Sequence, residues 1–301
     1  MTENTFSSTI QKATKDNSAT EQQGTKAKFW YGENKDKLCK FGKVHGENWA
    51  ELIAYFLAIT LKIPCAKYVP AEFQILENDP IKCVVSKSFI NRGEGERLIN
   101  ANELLAKNVE SYDQSMAYKQ RKYTFLSAVG LFKVIECNGL NGYTPIQQFI
   151  GYLLFDVFIG NQDRHHENWG FVSSSSPLYL APTFDHGSSM ACRISDKTRL
   201  KRMHSADKGY KVEGFITTAK SAMYGNHGKL LKLHELAKVC KYHYPKETKF
   251  WIEKIDSLQE SKIESIINTC PSEWMTDVEK QFTLSLLLAN QSFLKSLQAN
   301  V

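Results

Sequence analysis

Twelve residues, Gly160 to Phe171, read GNQDRHHENWGF and place two acids, two adjacent histidines, an arginine and two asparagines directly after an apolar run. Such a set suits metal ligation, a nucleophile relay or the handling of phosphate. Asp163 and Asn168 lie five positions apart, and a second carboxylate, Asp185, follows in APTFDHG. An acid, four intervening residues, an asparagine, a short strand pair and another acid is the order in which kinases place their phosphoryl-transfer groups. A nucleoside triphosphate travels with Mg²⁺, a hard ion that takes a few oxygen ligands and keeps several waters. The Asn168 amide oxygen and the Asp185 carboxylate supply such a pair without surplus negative charge. Asp163 is then placed to face the incoming hydroxyl and accept its proton.

The alternatives are weaker on chemical grounds. Adjacent His165 and His166 cannot share one face of a helix or strand, and no H-x-x-x-H accompanies them, so a zinc site lacks its spacing. A Ser/His/Asp hydrolase needs a G-x-S-x-G elbow, which the sequence does not contain. A plain polar loop capping the helix IQQFIGYLLFDVFIG would account for DRHHEN alone, but not for an APTFDHG at hairpin distance.

Several elements must position these groups. The helix before the motif spans about Gly142 to Gly160, and the pair WGFV and LYLAPTF reads as a hairpin closed by Ser173 to Pro177, with Asn168 and Asp185 near its two ends. Upstream, KFWYGENKDKLCKFG reads as two short strands around a turn. GENWAELIAYFLAITLKI spaces Trp49, Ile53, Phe56, Leu57 and Leu61 by threes and fours, as in an amphipathic helix. KYVPAEFQIL and IKCVVSKSFI are two further strands around ENDP. The glycine-bearing NRGEGERL then separates a small β-rich lobe, 23–93, from a larger, mostly helical lobe, 94–301, while polar residues 1–22 read as a flexible tail with order beginning near Gly24.

The chain's 301 residues, 42% hydrophobic and 12% aromatic, can fill a real core. No apolar stretch approaches the ~20 residues of a membrane span and the N-terminus lacks a signal-peptide core, so a soluble, unprocessed protein is expected. Seven scattered cysteines without a C-x-x-C fit a reducing cytosol. A net charge of +6 permits acidic or phosphorylated ligands without calling for direct nucleic-acid binding.

LLFDVFIGNQDRHHENWGFV followed by LYLAPTFDHGSSM resembles the catalytic core of the HipA-like serine/threonine kinases, the toxin kinases of bacterial toxin–antitoxin systems. LCKFGKVHGENWAELIAYFLAITLKIP is similar to the family's strand lysine and following helix. SAMYGNHGKLLKLHELAKVCKYHYP and CPSEWMTDVEKQFTLSLLLANQSFL are similar to its C-terminal helical region, so the resemblance runs from about Gly24 to Leu297. The length matches the family's short members, the HipT-like toxins and a translocated proinflammatory kinase.

The resemblance implies a two-lobed, protein-kinase-like α+β fold, ATP and Mg²⁺ as cofactors, and bacterial cytoplasmic action with secretion into a host cell as an alternative setting. It further implies a protein substrate such as an aminoacyl-tRNA synthetase and a separate antitoxin. It makes Lys40 the phosphate-pairing lysine and Glu51 its partner, with Glu47 as the alternative. Backbone and apolar groups of Lys87, Ser88 and Phe89 become the adenine hinge, and Gly24 and Lys28 part of a glycine-rich loop. By the same analogy His165 orients the catalytic loop; on residue type alone, Arg164 is expected to pair with phosphate or with a structural acid, and His166 and Trp169 to be packing residues. Where family members carry autophosphorylated serines before the glycine, this chain has Glu21, Gln22 and Gln23, with Ser18, Thr20 and Thr25 as the nearby hydroxyls. The basic run Arg193 to Lys211 is either a solvated surface or a substrate-docking segment. A phosphatidylinositol-type or small-molecule kinase and a nucleotide-binding pseudokinase are the rival readings.

Overall fold

The computed structural model describes residues 11–13, 19–20, 28–32, 34–42, 44, 46–73, 80–173 and 177–299. Its first sheet has six strands in the order β1-β5-β6-β4-β3-β2. These are β1 (Gln11–Ala13), β2 (Ala19–Thr20), β3 (Lys28–Tyr31), β4 (Lys37–Lys40), β5 (Tyr68–Phe73) and β6 (Ile81–Lys87). β3 and β4 form the expected hairpin, its turn carried by Gly32 at φ 91° and Lys35 at φ 50°. β5 and β6 pair antiparallel, also as expected. Order does not wait for Gly24: β1 adds in parallel to β5 and β2 antiparallel to β3, within the segment read as a tail. Composition missed both because a two- or three-residue edge strand gains its stability from backbone pairing with a sheet that already exists.

Helix α1 (Gly46–Thr60) crosses behind this sheet. The spacing of its apolar residues predicts an amphipathic helix, but burial runs around almost the whole cylinder and takes in the polar Glu47, Asn48 and Glu51. Trp49, Leu52, Ile53 and Leu57 join the larger core together with Tyr68 and Val84 from the sheet. The sheet's other face keeps a smaller cluster of its own, built from Phe29, Tyr31, Cys39, Ala71, Phe73, Cys83 and Val85.

After a single 3₁₀ turn at Arg92–Glu94 the chain enters a second sheet, in the order β7-β9-β10-β8. It comprises β7 (Arg97–Asn100), β8 (Cys137–Asn138), β9 (Gly170–Ser173) and β10 (Leu178–Leu180), and the β9–β10 pair is the hairpin expected from WGFV and LYL. Between these strands come α2 (Ala101–Asn108), α3 (Phe125–Val134) and α4 (Pro145–Ile159). Then follow α5 (Asp196–Met203), α6 (Val212–Thr218), the pair β11 (Lys220–Tyr224) and β12 (Leu230–Lys232), α7 (Leu233–His243), α8 (Pro245–Asp256), α9 (Glu260–Asn268) and α10 (Asp277–Ala299). Among the described residues no helix is long and apolar enough to cross a membrane.

α4 is the axle of the larger lobe, packed by α7, α8 and α10 and buried at every position from Gln148 to Ile159. Its limits are written in local chemistry. Thr144 caps the start by accepting from Gln147 N, Pro145 fits the first turn, and Gly160 ends the helix in the left-handed region at φ 66°. Gly151 lets α8 approach, since a Cβ there would lie 2.4 Å from Trp251 Cε2, and Trp251 is wholly buried with Nε1 donating to Gln147 O. Replacing Gly151 with alanine gains about 1 kcal/mol of helix propensity, but it forces apart two elements that cannot yield, at about 1–3 kcal/mol. A Gly151→Ala protein is therefore expected to unfold at lower urea than the native one, and an unchanged or higher midpoint would refute this packing.

Candidate active site

The two sheets, the loop after α4 and the segment after β10 line an open cleft. Its walls include Lys28, Lys40, Lys87, Ser88 and Phe89 on one side and Asp163, His165, Asn168 and Asp185 on the other. Residues from five separate stretches of sequence thus meet at one place. Gly24, with Ser18 and Thr25, lies outside the described residues.

At the floor, Lys40 Nζ lies 2.5 Å from Glu51 Oε1 and 3.0 Å from Asp185 Oδ1. Burial works against the Lys40 ammonium, but Asp185 and Glu51 outweigh it and hold its pKa well above the ordinary lysine value. Glu51 is pinned a second time, Oε2 accepting from His186 N at 2.9 Å. Of the two acids offered by α1, Glu51 therefore meets Lys40, whereas Glu47 meets Arg193, with Arg193 Nη2 2.8 Å from Glu47 Oε1. Lys28 sits opposite Lys40 in the β3–β4 ladder, so two cations face the cleft from adjacent strands.

Asp185 adopts a left-handed backbone at φ 60°, a conformation that costs a non-glycine residue about 1 kcal/mol and is held here by Asp185 N donating to Tyr68 Oη at 3.1 Å. Tyr68 also places its ring 5.4 Å from Lys40 Nζ. Phe184 stacks on Phe89 at 5.7 Å, which ties the segment before Asp185 to the strand exit at Lys87–Phe89.

The loop 160–169 is built around Arg164. Its guanidinium meets Asp156 of α4 twice, Nε to Oδ2 at 2.7 Å and Nη2 to Oδ1 at 2.8 Å, and Nη1 donates to the carbonyls of Asn168 and Phe184. Of the two partners open in the sequence, phosphate or a structural acid, Arg164 takes the acid. One buried cation thus holds the backbone beside Asn168 and beside Asp185 and brings the hairpin's two ends together. Burial opposes the Arg164 charge, but Asp156 prevails and raises its pKa.

Asn168 Nδ2 donates to Asp163 O at 2.7 Å, which leaves Oδ1 as the amide atom available to a cation. Among the described residues no three His, Cys, Asp or Glu side chains cluster as a metal site. Asn168 Oδ1 and the Asp185 carboxylate, both on the cleft wall, form an all-oxygen pair that suits Mg²⁺ better than zinc. His165 Nδ1 accepts from Glu167 N at 3.3 Å, which puts the ring proton on Nε2, 4.0 Å from Asp163 Oδ1. His166 is buried against Tyr112, with Nδ1 2.6 Å from the hydroxyl, and burial followed by the neighbouring His165 holds its pKa down at about 4. Trp169 is likewise buried, donating to Tyr123 Oη.

Sequence reasoning passed over three tyrosines. Tyr68 braces Asp185, Tyr123 donates to Arg164 O at 2.9 Å, and Tyr118 lines the cleft with its ring 5.3 Å from His165. Burial, then Asp163 and Asp185, raise the Tyr118 pKa. Tyr118 and Tyr123 lie in the connection between α2 and α3, where neither periodicity nor turn chemistry signals a role. The basic run from Arg193 is not all solvated surface. Arg199 is buried against Asp196 and Glu279, and Arg202 lies over Tyr210 and Phe215, while Lys197, Lys201 and Lys208 remain exposed.

A model of the HipA-like C-terminal domain matches residues 15–271. The chain belongs to this family. Serine/threonine-protein kinase CtkA of Helicobacter pylori is 27% identical over 140 residues, a match that covers 44% of this HipA-like chain and only 39% of that protein. The crystal structure of the H. pylori proinflammatory kinase CtkA superposes with a TM-score of 0.70 at 16% identity, over 96% of this chain and all of that one. HipA of Shewanella oneidensis, solved in a toxin–antitoxin complex with HipB and operator DNA, gives 0.58 at 13% identity, over 92% of this chain and 64% of that one. The HipA-like chain shares the two-lobed α+β fold of both.

Breaking the Asp156–Arg164 pair removes the partner of a buried charge, a loss of about 3–5 kcal/mol. An Asp156→Ala protein is expected to unfold at markedly lower urea than the native chain, and a loss below about 1 kcal/mol would show that Arg164 is not the keystone of the loop.

Proposed function

We propose that this chain is an ATP- and Mg²⁺-dependent serine/threonine protein kinase of HipA-like type. The observation that carries the reading is the Lys40 ammonium, held between Glu51 and Asp185 on the floor of a cleft whose rim presents Asp163 and Asn168. A catalytic lysine tied to a helix acid, a metal-binding acid beside it and a base facing both is the apparatus of phosphoryl transfer. Family membership and the kinase named among its relatives support the same conclusion.

In this mechanism Lys40 binds the phosphate chain, and Asp185 and Glu51 keep it charged and aimed against the cost of burial. Lys28 adds a second cation on the neighbouring strand, and Ser88 and Phe89 receive the base along the strand exit. Asn168 Oδ1 and Asp185 hold Mg²⁺, which when bound neutralises the charge of the phosphates. Asp163 orients the acceptor hydroxyl and takes its proton as the new bond to phosphorus forms. His165, with its proton on Nε2, faces the Asp163 carboxylate and steadies it, and Arg164 fixes the loop that carries them all. The acceptor in this proposal is a serine or threonine of another bacterial or host protein. Action as a toxin with a cognate antitoxin, or as a translocated effector, belongs to the same proposal; a toxin–antitoxin complex and a proinflammatory kinase stand among the structural relatives.

Purified protein incubated with γ-labelled ATP and Mg²⁺ in a bacterial lysate is expected to label a discrete protein on serine or threonine. Asp163→Ala should lower that labelling at least about 100-fold, the usual weight of a general base. Chelating Mg²⁺ should abolish it. Label on lipid would move the assignment to a lipid kinase, and nucleotide binding without Asp163-dependent transfer would make the chain a pseudokinase.

A further inference from the structure

Asp163 is also held from a side that does not line the cleft. Ser188 Oγ donates to Asp163 Oδ2 at 3.4 Å, and Arg193 Nη2 donates to Ser188 Oγ at 3.0 Å. The same guanidinium is fastened to Glu47 Oε1 through Nε at 2.9 Å and Nη2 at 2.8 Å. The direction of these bonds is forced. Arginine can only donate, so the serine oxygen accepts from it and spends its one proton on the carboxylate.

An arginine whose side chain is 52% exposed would by itself carry little weight, but its partner Glu47 is 2% exposed and needs a counter-charge. The backbone is shaped to bring the pair together. Met190 and Ala191 both sit at φ 50°, and the turn they make is braced by Cys192 Sγ donating to Gly187 O and by Arg199 Nη2 donating to the carbonyls of Ala191 and Cys192. Gly46 lets that turn touch the start of α1, because a Cβ there would lie 2.4 Å from Cys192 O. Glu47 and Glu51 lie four residues apart on one face of α1. One meets the nucleotide-side lysine and the other, through Arg193 and Ser188, reaches the acid loop.

We propose that Ser188 and Arg193 are positioning residues for phosphoryl transfer: Arg193, fixed by Glu47, aligns the Ser188 hydroxyl, which holds Asp163 Oδ2 and turns Oδ1 toward the acceptor. This rests on the phosphotransferase reading of the cleft. At 3.4 Å the serine bond is long for O–H···O, and it shortens when the acceptor seats the carboxylate.

The test compares kcat, nucleotide KM and melting temperature for the native chain, Ser188→Ala, Ser188→Thr, Arg193→Ala and the Ser188→Ala/Arg193→Ala double variant. Each alanine variant is expected to lose kcat on the order of 10- to 100-fold, as misaligned reacting groups do, with nucleotide KM held within about twofold. The threonine variant should keep most of the activity, and the double variant should be no slower than the worse single one. An unchanged kcat for Ser188→Ala, losses that multiply in the double variant, or a rise in KM in place of the fall in kcat would overturn the relay. Should either alanine variant fail to fold, Arg193→Lys, which keeps a charge beside Glu47 but loses the fork that also reaches Ser188, carries the comparison, with the same loss of kcat expected and an unchanged kcat overturning the relay. A native chain that transfers no phosphate at all fails the kinase reading itself and takes the relay with it, whereas an active native chain matched by its variants fails the relay alone.

Discussion

The contact between the buried charges of Lys40 and Glu51, shared with the partly exposed Asp185, sets the terms for the rest of the molecule. Removing the Lys40 ammonium from water is costly, and so is removing the carboxylate of Glu51. Their mutual contact, shared with Asp185 and backed by His186 N on Glu51, makes the arrangement tolerable. The three come from β4, α1 and the segment after β10, with Lys40 and Asp185 separated by 145 positions in the chain. The sheet, the helix and the hairpin must all be in register before any of these charges finds its partner. The polar residues on an otherwise apolar α1 then cease to be anomalies: Glu51 and Glu47 are buried because each has a cation waiting for it.

Arg164 plays the corresponding part for the other wall. It is anchored on Asp156, an acid inside the buried helix α4, and from there it reaches two backbone carbonyls on opposite arms of the hairpin. The loop 160–169 owes its position to this anchor on a rigid helix together with the bonds that Tyr112 and Tyr123 make to it, which is how a polar segment can keep a defined shape. Four bonds from one guanidinium do here what a regular ladder does elsewhere.

The parts of this arrangement governed by local rules could be read before the fold was known. The helix before the motif, the two hairpins, and the placing of Asn168 and Asp185 near the ends of the second all follow from periodicity and turn chemistry. The choice between Glu47 and Glu51 was not readable in that way, since both lie on the same face of α1 and only the distant Arg193 and Lys40 separate them. Asp156 was hidden in an apolar run, where an isolated acid looks like an exception to the pattern. Tyr68 and Tyr118 gave no signal, because their roles depend on what lies across the cleft. β1 and β2 escaped for a related reason: they are strands only because a sheet edge is there to receive them.

The distribution of apolar contacts has a dynamic consequence. α1 sits between the first sheet and the helical lobe, and its side chains belong to the larger core while the sheet's far face keeps a small core of its own. Two lobes joined only by a strand would swing freely, but here swinging would tear Trp49 and Leu57 from close-packed neighbours. The packing therefore resists rotation of the sheet away from the helical lobe, because Tyr68 and Val84 of the sheet share that core with α1.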